Sequence, residues 1–111
     1  MTEPELLQRF NQALADIAQI AEAIGEQHWK QAFFDRARQT LANESLPERE
    51  RLQLVCEQTR VFGGMGSWSD SPPFSAVEHG LLNEFEKATA ALYEIRSLAM
   101  AYLRRNGGER E

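Results

Sequence analysis

Apolar side chains recur at intervals of three and four residues along much of the sequence, which is the spacing of one face of an α-helix. The pattern is clearest near the C-terminus, in a stripe made of Phe85, Ala88, Leu92, Ile95, Leu98, Ala99, Tyr102 and Leu103. It predicts a long helix from about 82 to 105, ended by the Asn-Gly-Gly run at 106–108. No segment alternates apolar and polar residues for long enough to indicate a strand. The sequence therefore predicts an all-α protein.

A second stripe begins near the N-terminus and predicts a helix from about 3 to 24. Thr2 and Glu5 have the spacing of a capping box, and Pro4 falls in the first turn, where a helix needs no N–H from it. Gly25 is placed to end the helix in the left-handed conformation. The apolar stripe consists of Leu6, Leu7, Phe10, Leu14, Ile17, Ile20, Ala21 and Ile24.

Two further helices are predicted between these two. One spans about 26 to 43, and the other spans about 46 to 62, with Ser45 as its N-cap and Glu48 completing a capping box. The buried line of the first consists of Trp29, Phe33, Ala37 and Leu41. The buried side of the second consists of Leu52, Val55, Cys56, Thr59 and Phe62. Four such helices predict an antiparallel bundle within a single domain that spans residues 1–111.

The segment at 61–74, Val-Phe-Gly-Gly-Met-Gly-Ser-Trp-Ser-Asp-Ser-Pro-Pro-Phe, interrupts the helical pattern. It introduces a connection over residues 63–81, which is longer than most loops in compact domains. Its glycines permit sharp turns, and we expect Met65 and Trp68 to be buried against the end of the bundle. The loop motif consists of Gly63, Gly64, Met65, Gly66, Ser67, Trp68 and Asp70.

The second half of this connection carries conflicting signals. Ser75 and Glu78 have the spacing of a third capping box, but Gly80 in a helix interior costs about 1 kcal/mol relative to Ala. We therefore expect a loop or a short turn up to residue 80, with the two prolines at 72–73 imposing an extended backbone. The side chains expected to pack this half of the loop onto the core are Phe74 and Val77.

A family resemblance rests on two segments. Residues 62–70 read Phe-Gly-Gly-Met-Gly-Ser-Trp-Ser-Asp, and a Leu-rich helical segment follows at 81–98. The pair resembles an uncharacterised family of small bacterial proteins that share a Gly-Gly-Met-Gly-Ser-aromatic segment ahead of a Leu-rich C-terminal helix. The resemblance covers about residues 55–98, and the chain departs from it at Ser69, where the family has Asn, and at the 72–73 proline insert. It implies a bacterial, cytoplasmic protein and no particular activity.

Composition narrows the classes of function. The chain of 111 residues has a net charge of −5, and three of the excess negative charges lie in residues 1–44, so we expect no nucleic-acid partner. The single cysteine, Cys56, excludes an internal disulfide and fits a reducing cytoplasm. No apolar stretch approaches the length that spans a bilayer, and no signal-peptide pattern is visible at the start of the chain. We expect a cytoplasmic protein without a membrane partner.

No residue pattern predicts catalytic chemistry, a metal site or a cofactor. His28 and His79 lack the spacing of metal ligands, and Cys56 falls on the buried side of a predicted helix. Two alternatives stay open. The Gly-Gly-Met-Gly-Ser backbone could bind an anion through its amides, although no Lys or Arg lies nearby in the sequence. Ser67 could act as a nucleophile beside an acid–base group formed by His79, Glu78 and Asp70.

The leading hypothesis is a non-enzymatic protein-binding module and, by analogy of class, a bacterial immunity protein that binds and blocks a toxin. The acidity suits a partner with a basic surface, because complementary charge speeds encounter. One alternative is a small-molecule binder or minor enzyme with a pocket under the 63–81 loop, and another is a homodimer or other structural homo-oligomer. The candidate partner-binding residues are Asp16, Glu22, Glu26, Trp29, Phe34 and Asp35.

Overall fold

The computed structural model describes residues 1–62 and 67–107, and the described residues are helical with no strand. The helices are α1 (Glu3–Ala23), α2 (Gln27–Trp29), a π-helical turn (Lys30–Phe34), α3 (Asp35–Ala42), α4 (Glu48–Gln58), α5 (Pro72–Glu78) and α6 (Leu82–Gly107). The elements from α2 to α3 follow one another without a break and form one helical segment. The predicted all-α fold is confirmed.

Helix α1 begins and ends as the sequence predicts. The Thr2 N–H donates to Glu5 Oε1 at 2.8 Å, and the Glu5 N–H donates to Thr2 Oγ1 at 3.4 Å, which completes the capping box. At the other end Gly25 has a φ of +80°, and the Glu26 N–H donates to the Ala21 carbonyl at 2.7 Å. A backbone hydrogen bond that spans five residues, with a left-handed glycine just before its donor, is a common way to end a helix.

The second helical segment departs from the prediction because it contains a π turn. A π turn holds one more residue than an α turn, so the side chains beyond it shift around the helix axis. As a result Phe34, rather than Phe33, lies fully in the core, while Phe33 and Trp29 are half-buried. The predicted buried line through Trp29 and Phe33 is therefore wrong in its first half. Ala37 and Leu41 are buried as expected.

Helix α4 is shorter at both ends than the predicted 46–62. The Ser45 hydroxyl donates to Asn43 Oδ1 at 2.6 Å and does not cap a helix. Helix α4 begins after Pro47, which has no N–H that would need a partner in the first turn. Its last residue is Gln58. Phe62 therefore lies beyond the helix, half-buried, and does not belong to its buried side.

Residues 72–78 form helix α5, where the sequence predicted a loop or a short turn with an extended backbone at the two prolines. The two prolines occupy the first positions of the helix, where their fixed φ is favourable and no N–H is needed. Gly80, which counted against a helix, is the residue that ends it: its φ is +69°, and the Leu81 N–H beyond it donates to the Ala76 carbonyl at 2.8 Å. The physical reason for the wrong prediction is that Gly80 is a terminator and not an interior residue.

Helices α1 and α6 pack along each other in opposite directions. Arg9, early in α1, lies 3.8 Å from Glu94 in the middle of α6, and Arg49 at the start of α4 joins Glu3 to the Leu103 carbonyl near the end of α6. The starts of α1 and α4 thus lie at the C-terminal end of α6, as an antiparallel bundle requires. The core between them includes Leu6, Phe10, Leu14, Ile17, Phe34, Leu52, Val55, Leu92, Ile95 and Ala99.

Candidate functional site

Trp68 belongs to the connection between α4 and α5, and its side chain is buried in the core. Its side chain is 0% exposed and its Nε1–H donates to Thr89 Oγ1 at 2.8 Å. The indole stacks on Phe85 and meets the edge of Phe34, each with ring centroids 4.9 Å apart. The predicted burial of Trp68 is confirmed. Met65, with Gly63, Gly64 and Gly66, lies outside the described residues.

Helix α5 lies beside this tryptophan and is fixed in place. Pro72 and Ala76 are buried, and the Ser75 hydroxyl donates to Glu26 Oε2 at 2.7 Å. The Glu26 carboxylate belongs to the short connection between α1 and α2, so the bond ties two distant parts of the sequence together. The orientation of α5 on the bundle is therefore set by packing on one side and by a charge-assisted hydrogen bond on another.

The opposite side of α5 carries two large apolar side chains in solvent. Phe74 is 73% exposed and Val77 is 58% exposed. Residues three positions apart lie on the same side of a helix, so these two side chains are neighbours. Both were expected to pack the loop onto the core, and both expectations are wrong. Because α5 is helical and turns Pro72 and Ala76 inward, Phe74 and Val77 necessarily face away.

The apolar surface continues toward the start of α6. Val77 and the 36% exposed Leu82 line one open depression of about 360 Å³, together with Gly80, Asn83 and Glu84. We call the surface formed by Phe74, Val77 and Leu82 the α5 surface. Exposed apolar side chains that occur singly are common, whereas a contiguous group on one ordered helix often marks a binding site.

The sequence around the α5 surface is acidic. Residues 67–86 contain four carboxylates and no Lys or Arg, and Glu84 lines the depression itself. The carboxylates are Asp70, Glu78, Glu84 and Glu86. An apolar centre with a polar, charged rim is the usual arrangement of a protein–protein interface.

The residues predicted as partner contacts fall into different environments. Phe34 is fully buried, which removes it from any surface that a partner could touch. Asp35 is half-buried and paired with Lys30 at 2.8 Å. Asp16 and Glu22 are exposed on α1, and Trp29 is half-buried with its ring 5.5 Å from that of Trp68.

Among these candidates, Glu26 contacts α5 directly, through its bond to Ser75. The structure therefore does not bring the predicted set together into one surface. The sequence did not predict that Phe74 and Val77 would be exposed. The sequence did contain a signal for helix α5: the two prolines at 72–73 are typical of a helix start, and Gly80 is typical of a helix end.

The described residues offer little for catalysis. Within residues 1–62 and 67–107 no three His, Cys, Asp or Glu side chains are grouped as metal ligands. The Ser67 hydroxyl is buried and bonds to no described residue, whereas His79 is exposed with Nδ1 2.8 Å from the Ser75 carbonyl oxygen. The structure does not join Ser67 and His79 as a nucleophile and its base. Burial raises the pKa of the Cys56 thiol to about 11, so this sulfur is protonated at neutral pH.

None of the described helices combines the length and the apolar character that crossing a bilayer requires. No protein-family model matches the chain, and neither a curated protein nor a solved structure shows significant similarity to it.

Proposed function

We propose that the protein is a non-enzymatic protein-binding module and that its partner binds the α5 surface. The observation that carries this proposal is the 73% exposure of Phe74 on a helix that is itself fixed by buried residues and by the Ser75–Glu26 bond. A side chain on a helix that is already fixed binds a partner without the further cost of ordering its backbone. Aromatic residues are also enriched among the side chains that carry most of the binding energy at interfaces.

The chemistry of the α5 surface favours a partner with an apolar cavity and a basic rim. Phe74 and Val77 would enter the cavity, and the carboxylates of Glu78 and Glu84 would face Lys or Arg side chains around it. Opposite charges at the rim raise the rate of association more than they raise the final affinity. A second copy of this chain is a poorer occupant, because a symmetric contact through the α5 surface would place like charges against one another.

We further propose that the partner is a toxin and that the protein is a bacterial immunity protein which blocks it in the cytoplasm. Support comes from the acidic residues that neighbour the α5 surface in the sequence, which suit a basic toxin. An immunity protein must keep a lethal activity silent. We therefore expect a nanomolar dissociation constant, which corresponds to a binding free energy of about −12 kcal/mol. A pocket under the 63–81 loop has less support, because Trp68, the largest side chain of this segment, is packed into the core.

The experiment is co-expression of the protein with the product of the neighbouring reading frame, followed by size-exclusion chromatography and a growth assay. The proposal expects a one-to-one complex and loss of growth when the neighbour is expressed alone. Phe74→Ser should weaken both the complex and the protection. Tyr93→Ser is the matched control, because Tyr93 is an aromatic side chain on α6 with 57% exposure.

Two outcomes would contradict the proposal. If no complex forms and the neighbour is harmless alone, the protein is not its immunity protein. If sedimentation of the isolated protein shows a dimer that Phe74→Ser converts to a monomer, the α5 surface binds a second copy instead of a foreign partner.

A further inference from the structure

A second surface, away from α5, groups two arginines around one depression. The depression has a volume of about 300 Å³ and lies between the C-terminal half of α4 and the middle of α6. Its lining consists of Cys56, Glu57, Arg60, Arg96 and Met100. Two guanidinium groups and one carboxylate give this lining a net positive charge, in a chain whose net charge is −5.

Arg96 is held in position by the backbone of α4. Its Nε–H donates to the Cys56 carbonyl oxygen at 3.0 Å, which fixes the plane of the guanidinium group. No other hydrogen bond or ion pair within the described parts of the chain uses its two terminal nitrogens. A planar donor group that is already positioned loses little freedom when a ligand binds.

Arg60 provides a second cation at the same depression. It lies just beyond the end of α4 and is exposed, and no carboxylate of the described residues approaches it within 4.0 Å. Glu57 shares the depression but is not paired with either arginine at that distance. Elsewhere, Arg9 and Arg49 do have a carboxylate within this limit.

We propose that this depression binds a small oxyanion, a carboxylate or phosphate group carried by a small molecule. Guanidinium groups present paired N–H donors at a spacing that matches the oxygens of both anions. An oxyanion between Arg60 and Arg96 would also relieve the repulsion between two like charges that share one depression. Cys56 and Met100 supply an apolar wall for the remainder of the molecule.

The proposed role is binding without covalent chemistry. Cys56 lines the depression, but its side chain is buried and its pKa is raised to about 11 by that burial. A protonated thiol is a poor nucleophile. The proposal is independent of the partner of the α5 surface, since the depression contains no residue of α5.

The test is a titration of the ¹⁵N-labelled protein with inorganic phosphate and, separately, with acetate, at constant ionic strength. The signal to follow is the Arg96 side-chain Nε–H. We expect a saturable shift with at least one of the two anions, and the comparison of phosphate with acetate identifies the preferred group. Arg60→Gln should weaken binding and raise the apparent dissociation constant about tenfold, as expected for the loss of a charge-assisted hydrogen bond.

Arg36→Gln is the matched control, because Arg36 is an exposed arginine on α3 outside the depression. It should leave the titration unchanged. The proposal is overturned if the Arg96 signal shifts linearly without saturation for both anions. It is equally overturned if Arg36→Gln weakens the response as much as Arg60→Gln does, because the effect would then reflect general electrostatic screening.

Discussion

The indole N–H of Trp68 donates to the Thr89 hydroxyl at 2.8 Å, which joins the connection between α4 and α5 to the long helix α6. The two residues are 21 positions apart in the sequence. Trp68 also contacts the rings of Phe34 and Phe85, so one side chain joins this connection to the α2–α3 segment as well as to α6. Trp68 precedes α5 by four residues, so this contact anchors the chain just before that helix.

Trp68→Ala should lower the free energy of unfolding by about 3–5 kcal/mol, the usual scale for truncating a buried Trp. Thr89→Val should cost less, about 1–3 kcal/mol, because it leaves the packing intact but removes the acceptor of a buried N–H. Urea denaturation monitored by circular dichroism measures both. A Trp68→Ala variant as stable as the wild type would show that Trp68 does not support the end of the core.

Gly80→Ala should destabilise the protein by about 1–2 kcal/mol, the cost of a left-handed conformation for a residue with a Cβ. Gly80 has a φ of +69°, and an added Cβ would meet no atom within 4 Å, so the cost is backbone strain without a clash. Hydrogen exchange should show faster exchange in α5 for this variant. Thr2→Ala is the control, because losing the cap of α1 should cost about 1 kcal/mol at the opposite end of that helix from Glu26, the residue that bonds α5. Equal exchange in α5 for both variants would contradict this prediction.

The capping box of α1 predicts a pH dependence with a defined sign. Hydrogen bonds from the Thr2 backbone and then from its side chain lower the pKa of Glu5 below the usual 4.5. A carboxyl with a lower pKa in the folded state contributes stability that is fully present above its unfolded pKa and is lost as the pH falls through its folded pKa. Glu5→Gln should therefore lose stability relative to the wild type at pH 7, and the difference should shrink well below pH 4.5. Thermal unfolding at several pH values checks this; a difference that grows in acid would show the opposite sign.

Cys56 should react slowly with thiol reagents in the native protein. The thiol is buried and its pKa is about 11, so little thiolate is present at pH 8. Alkylation by iodoacetamide, followed by mass spectrometry, should be slow in native buffer and fast in denaturant. Equal rates in the two conditions would place this thiol on the surface.

The sequence predicted the parts of the fold that depend on local chemistry. The Thr2–Glu5 capping box and the left-handed Gly25 are encoded within a few residues, and both occur where expected. The burial of Trp68 was also predictable, because a large aromatic side chain is mostly buried in folded proteins and its Gly and Ser neighbours cannot shield it from solvent.

The remaining differences arise from packing between distant segments. The π turn at Lys30–Phe34 is a one-residue adjustment that brings Phe34 onto Trp68, and no local pattern indicates it. The exposure of Phe74 depends on α5 forming at all, and on Pro72 and Ala76 facing the bundle. Periodicity cannot identify the buried face of a seven-residue helix, because too few positions define it.

The most direct test is the dissociation constant of the complex between this protein and the product of the neighbouring reading frame, measured by calorimetry for the wild type, Phe74→Ser and Tyr93→Ser. Circular dichroism first verifies that each variant is folded, which both should be because the two side chains are exposed. We predict that Phe74→Ser weakens binding by about thirtyfold or more, the scale of a hot-spot side chain, while Tyr93→Ser stays within about threefold of the wild type. Wild-type affinity in Phe74→Ser would show that the α5 surface is not where the partner binds.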